Sequence, residues 1–206
     1  GAVYVKERLQ MTVSQEGRIV VVTGAAGGIG RALVELLAAG GDTVIGVDLA
    51  GTGIEDVMAA QGAQHWGLAC DVGDEAAIEA MFRDIDSRFG RIDVLINNAA
   101  LGPTMAATVE TPLPDFRKAI SVNLLGPFVM AREAARRMTQ GGAIVNIASL
   151  AGVLGNPRRN AYAASKAALI SLTKSLACEW AARGIRVAAV APGYVRTPMV
   201  AELERT

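Results

Sequence analysis

Apolar runs rich in β-branched residues, each too short for a buried helix, recur along this chain at residues 19–22, 43–47, 94–96, 143–147 and 185–190, with a weaker one at 66–69. Runs that stay apolar at successive positions, without alternation, predict strands covered on both faces. Between them, residues 29–39, 74–89, 116–138 and 162–182 repeat their apolar positions at three and four residues and predict helices. Asp74 sits at the head of one of these as an N-cap, because its carboxylate can accept from first-turn amides that have no partner. Strands alternating with helices imply a parallel sheet with helices on both faces, and right-handed crossovers then give an α/β, doubly wound, Rossmann-like fold.

The length of 206 residues, 51% of them hydrophobic, suits one well-buried core and a single domain. No repeat, low-complexity tract or charge block marks a linker, so residues 1–206 read as one domain, with 1–16 as an N-terminal extension ahead of the first strand. Twenty basic residues balance twenty acidic ones, which gives no footing for nucleic acid or an acidic membrane surface and leaves a small molecule as the expected partner. Residues 1–10 lack the pattern of a secretory signal, and no apolar stretch reaches the roughly 18–20 residues of a membrane helix. Two widely separated cysteines, Cys70 and Cys178, fit free thiols in a reducing compartment. The expected location is cytoplasmic.

Directly after the first strand stands Thr23-Gly24-Ala25-Ala26-Gly27-Gly28-Ile29-Gly30, leading into a helix. Gly24 permits a tight turn, Gly28 lets backbone approach a pyrophosphate, and Gly30 lets helix and strand pack closely, while the helix N-terminus presents unpaired amides. Strand before and helix after is the context that turns such a loop into a dinucleotide cradle. About twenty residues further on, Asp48 ends the second strand at the usual reach for the adenosine ribose hydroxyls. A carboxylate there repels a 2′-phosphate and no Arg or Lys follows it closely, so NAD is the expected cofactor.

The spacing Gly24-x-x-x-Gly28-x-Gly30 resembles that of the short-chain dehydrogenase/reductase family. Asp71-Val72 is similar to the family's adenine-contacting pair, and Asn97-Asn98-Ala99-Ala100 to its Asn-Asn-Ala-Gly signature, with Ala100 departing from the last glycine. Asn123, Ser149, Tyr162 and Lys166 fall where the family's catalytic tetrad would. Pro192-Gly193 and Thr197, with Val195 between, match the segment that closes on the nicotinamide. The resemblance runs from about residue 17 to residue 199. It implies cofactor contacts at Gly24, Gly28, Ile29, Gly30, Asp48, Asp71, Val72, Asn98, Ala99, Tyr162, Lys166, Pro192, Gly193, Val195 and Thr197, with no metal.

Residues four apart on a helix share a face, so Tyr162 and Lys166 can point into one cleft. An ammonium beside a phenol favours the phenolate. The resemblance adds that Lys166 binds the nicotinamide ribose, that Ser149 holds the substrate oxygen, and that Asn123 anchors a water leading protons to solvent. The implied reaction moves a hydride between NAD(H) and a secondary alcohol or ketone, with Tyr162 as general acid/base. Two other readings stay open: an NADP-dependent ketone or 3-oxoacyl reductase, and a non-catalytic NAD(H)-binding sensor.

His65 is the only histidine, which supports neither a Ser-His-Asp triad nor a histidine metal site, and is expected on the surface near the third strand. Arg158 and Arg159 read either as a solvated loop pair or as a greeting for an acidic substrate group. Pairing through the long helices at 116–138 and 162–182 implies a homodimer or homotetramer. The family's helical lid and last edge strand beyond Thr197 are expected to be absent from this sequence.

Overall fold

The computed structural model describes residues 17–195; the readings of residues 1–16 and of Thr197 lie outside them. Six strands, β1 (Ile19–Thr23), β2 (Thr43–Asp48), β3 (Trp66–Ala69), β4 (Val94–Asn97), β5 (Gly142–Ile147) and β6 (Ile185–Val190), form one sheet in the order β3-β2-β1-β4-β5-β6. Every pairing is parallel. All six runs predicted from the sequence are strands, extended by at most one residue at an end. The order reverses between β1 and β4, the point at which a doubly wound sheet opens a crevice at the carboxyl ends of its strands.

β1 is buried along its whole length, which explains its unbroken apolar sequence. Val21 packs into a core with Phe82 and Ile85 of α3 (Glu75–Arg88), Met130 of α5 (Gly126–Arg137) and Trp180 of α6 (Asn160–Trp180). Val20 and Val22 face the other way, onto Val34 of α1 (Gly28–Ala39) and Ile54 and Met58 of α2 (Ile54–Ala59). Asp74 caps α3 as expected, its Oδ1 accepting from the amides of Ala76 and Ala77 at 2.9 and 3.3 Å. α2 is too short to show a helical period in the sequence. Its seat is made by glycines: a Cβ at Gly67 would lie 2.7 Å from the Cα of Glu55.

The helix expected over residues 116–138 begins earlier, as α4 (Leu113–Ile120), and is then interrupted by a π turn, Ser121–Leu125, before α5. Pro127 gives a reason, since it has no amide to donate back to residue 123 and the wider turn accommodates that missing rung. The turn is also fastened from outside. Ser121 Oγ donates to the Gly73 carbonyl at 3.0 Å, and a Cβ at Gly126 would overlap the carbonyl oxygen of Val72.

His65 corrects a sequence expectation, being 5% exposed where the surface was expected. Its Nδ1 accepts from the Val44 amide at 3.1 Å, one residue before β2 begins to pair with β3 at Ile45 and Trp66. The imidazole thus serves a backbone group that the ladder leaves over, and burial lowers its pKa. Among the described residues no helix is long and apolar enough to cross a membrane.

Candidate functional site

A cleft of about 460 Å³ lies along the carboxyl ends of the strands. Its floor at the switch point is a two-way seam. Thr23 Oγ1 accepts from the amides of Asn98 and Ala99, both at 3.0 Å. In return, Asn98 Nδ2 donates to the carbonyls of Thr23 and Gly24 at 2.9 and 3.1 Å. Gly24 occupies φ +65, and a Cβ there would lie 2.8 Å from Asn98 Nδ2. A side chain at Gly30 would overlap the Gly24 carbonyl oxygen, so the turn and α1 close on each other only because both positions are glycine.

Gly24, Gly28 and Ile29 line one end of the cleft, with Asp48 beyond them. Asp48 Oδ2 accepts from the Ala26 amide and Oδ1 from the Leu49 amide, both at 2.8 Å. The carboxylate therefore braces the glycine turn while facing the cleft. Asp71, Val72, Asn98 and Ala99 continue the lining, as do Pro192, Gly193 and Val195, whose segment is held to the Ser149 turn by the Leu150 amide donating to the Pro192 carbonyl at 2.9 Å. Gly30 lies beneath the surface as packing and Asn123 is wholly buried, so neither lines the cleft.

The fit of a dinucleotide can be tested on this floor. Gly27 is the N-cap of α1 and supplies no side-chain cap, and a Cβ built there meets nothing within 4 Å. First-turn amides at a positive helix end beside open space suit a pyrophosphate. The residues present fit the group.

α6 brings Tyr162 and Lys166 to the wall of the same cleft. Tyr162 is half-buried, and Lys166 Nζ lies 5.7 Å from its ring centroid. Lys166 itself is 2% exposed, donates to the Ile147 carbonyl at 2.7 Å, and is pushed down to about 8 by burial. Ser149 follows β5 and accepts from the Ala151 amide at 3.1 Å, which leaves its hydroxyl hydrogen free for the cleft. A Cβ at Gly152 would lie 2.7 Å from the Lys166 carbonyl carbon, so the turn carrying Ser149 rests directly on α6.

Asn123, fully buried in the π turn, spends its amide on protein. Oδ1 accepts from the Leu101 amide at 2.8 Å, and Nδ2 donates to the Leu101 carbonyl at 3.1 Å and to Ser165 Oγ at 3.2 Å. Ser165 Oγ in turn donates to the Tyr162 carbonyl at 2.7 Å. Sequence reasoning missed Ser165, and also Lys118, Val122 and Leu101, which line the cleft. It missed a buried chain beneath as well, in which Asn97 donates to Asn146 and Asn146 to Thr173, both at 2.9 Å. Among the described residues no cluster of three or more His, Cys, Asp or Glu side chains is placed to hold a metal.

The family model for short chain dehydrogenases matches residues 18–206. An uncharacterized short-chain type dehydrogenase/reductase, y4vI, of Sinorhizobium fredii (strain NBRC 101917 / NGR234) is 61% identical over 191 residues, covering 93% of this chain but 35% of that protein. The chain thus spans about a third of the length of that relative. D-threitol dehydrogenase of Mycolicibacterium smegmatis (strain ATCC 700084 / mc(2)155) is 39% identical over 189 residues, 89% of this chain and 72% of that one. The crystal structure of an NAD+-bound xylitol dehydrogenase superposes with a TM-score of 0.83 at 36% identity, covering 86% of this chain and 70% of the other. With the family model running nearly end to end over a sheet that opens its crevice at the same switch point, this chain belongs to the short-chain dehydrogenases/reductases, oxidoreductases that use a nicotinamide cofactor.

Proposed function

We propose that the chain interconverts a secondary alcohol and a ketone with NAD(H), and that Tyr162 is its general acid/base. One observation carries the reading: Tyr162, Lys166 and Ser149 share a cleft with the glycine turn and Asp48. Gly24, Gly28 and Ile29 would hold the pyrophosphate end, Asp48 the adenosine ribose, Asp71 and Val72 the adenine, and Asn98, Ala99, Pro192, Gly193 and Val195 the nicotinamide half. Gly30 sets how closely that floor approaches. Thr197 completes the set in the reading from resemblance. The bound cofactor supplies a ring carbon that takes or gives a hydride.

The protein's own part is the proton. Oxidation of a carbinol leaves its hydroxyl proton to be taken by the Tyr162 oxygen, and reduction returns it. Lys166 stands over the ring face with its charge in a dry site, where its field on the phenol is strongest. The free hydrogen of Ser149 meets the substrate oxygen as charge changes there. Asn123 is a positioning residue, holding the Leu101 backbone and, through Ser165, the first turn of α6; its Oδ1 keeps a second lone pair for a water.

NAD over NADP is supported by the carboxylate of Asp48 at the ribose end, and the xylitol dehydrogenase relative is described as NAD+-bound. Free Cys70 and Cys178 suit a cytoplasmic setting. Exposed Leu125, the last residue of the π turn, and Phe128 just beyond it suit a homodimer or homotetramer joined through these helices, which sedimentation would check. The deciding experiment is turnover of a panel of secondary alcohols and ketones by the unmodified protein and by Tyr162→Phe. Turnover that falls by about 10²–10⁴ in the variant, with NADH binding kept, is expected. Cofactor binding with no turnover by either protein would instead favour a sensor.

A further inference from the structure

Two adjacent arginines immediately precede the helix that brings Tyr162 to the cleft wall. Arg159 is the N-cap of α6, one helical turn before Tyr162, and Arg158 precedes it. α6 runs for 21 residues with no acidic residue in its first turn and no side-chain cap. Cations belong at the other end of a helix, since the N-terminus is already positive. Two guanidinium groups added there concentrate positive charge at that end.

Among the described residues no carboxylate neutralises it. Of the arginines described, Arg83, Arg88, Arg117, Arg183 and Arg186 pair with no carboxylate, while Arg18, Arg31, Arg91, Arg132, Arg136 and Arg137 each do. Among the described residues neither Arg158 nor Arg159 does, and Glu110 on the facing segment reaches neither. Arg159 is half-buried, with its guanidinium 5.7 Å from the ring centroid of Tyr194. Tyr194 lies between Gly193 and Val195, both of which line the cleft. The cation therefore sits beside the 192–195 segment of the cleft lining, which is itself tied to the Ser149 turn by the Leu150 amide donating to the Pro192 carbonyl at 2.9 Å. Asn160 fixes this corner by donating to Thr108 Oγ1 and Thr111 Oγ1, both at 3.1 Å.

Arg158 follows Pro157 with φ 63, the only left-handed non-glycine residue among those described. That turn position favours glycine. An arginine at such a position, beside a second one whose guanidinium lies over the Tyr194 ring, points to a place where charge matters more than backbone ease. Apolar Leu150, Val153 and Leu154 lie exposed just after Ser149.

We infer that Arg158 and Arg159 form an anion-recognition rim that selects secondary alcohols and ketones carrying an acidic group, joined to the reacting carbon by a short apolar spacer. This rests on Tyr162 as the acid/base and adds the substrate class. A guanidinium fork held by an aromatic face suits a carboxylate or a phosphate equally.

The test uses 4-oxopentanoate and 5-oxohexanoate, each against its methyl ester, with NADH. At low salt at least one acid is expected to exceed its ester by roughly tenfold or more in kcat/KM, through KM, with the gap closing as salt is raised. Arg158→Gly relieves the left-handed backbone, so its fold is not at risk. It and Arg159→Gln are expected to lower the acid's kcat/KM by about 10- to 100-fold while leaving the ester within about twofold. Arg159→Lys should restore part of the loss. If neither acid nor ester turns over, calorimetric binding to the NADH-loaded protein separates the two ideas. Arginine-dependent binding of the acid alone would sustain the rim and sink the role of Tyr162. Acids and esters that bind and react alike, or arginine variants that weaken both equally, would overturn the rim.

Discussion

Lys166 Nζ donates to the Ile147 carbonyl at 2.7 Å, so the end of β5 and the second turn of α6 are tied together by a buried charge. That charge is the price of the site. Burial lowers Lys166 from 10.5 to about 8, so between those values the unfolded chain binds a proton that the folded chain has released. Stability then rises with pH across that window, and below about pH 8 the full cost of the buried ammonium is present. Cys70 acts in the opposite sense, because burial raises its thiol from 9.0 to about 11 and the folded chain keeps a proton the unfolded one loses.

Only the interval from about pH 8 to about pH 9 therefore isolates the lysine. Across it, urea denaturation of the cofactor-free protein is expected to show stability increasing, and Lys166→Met is expected to flatten that rise. The variant should also lose about 10²-fold or more in turnover. A variant as pH-dependent as the unmodified protein would refute the assignment.

Gly27 and Gly30 should separate binding from folding. Alanine at Gly30 meets the Gly24 carbonyl and Asn98 Nδ2, so a lower Tm, worth about 1–3 kcal/mol, should accompany weakened NADH binding. Alanine at Gly27 touches nothing within 4 Å. Its Tm should stay put while NADH affinity, followed by fluorescence titration, falls.

Thr23→Val deletes the oxygen that receives the Asn98 and Ala99 amides. Leaving those donors short of a partner should cost about 1–3 kcal/mol in chemical denaturation, and Thr23→Ser should recover most of it.

Asp48→Ala removes both the repulsion of a 2′-phosphate and the brace on Ala26. The ratio of NADH to NADPH affinity should narrow by about tenfold or more, with NADH binding weakened at the same time. Tighter NADPH binding by the unmodified protein would reverse the cofactor preference.

The strands were legible because each is apolar at consecutive positions, and the glycine turn because a strand precedes it and a helix follows. Other features depend on partners distant in sequence. α2 has too few residues to show a period, and its place is set by Gly46 and Gly67 on the sheet beneath it. The π turn reflects Pro127 acting together with contacts to Val72 and Gly73. His65 looked like a surface residue because nothing local announces that the Val44 amide needs an acceptor. At the site, the periodicity that put Tyr162 and Lys166 on one face was readable. The duties of Ser165 and Thr23 were not, since a hydroxyl's partner cannot be inferred from its neighbours in the chain.

The two-way stitching of Thr23 to Asn98 has a kinetic corollary. Donors cross the junction of β1 and β4 in both directions, so the bottom of the crevice cannot part without breaking several of them together. Entry and exit of a molecule as large as a dinucleotide then leave this floor intact and draw on the upper lining, at Leu101 and around residues 192–195. Residence time would be governed by those upper segments, even where the strength of holding is decided below.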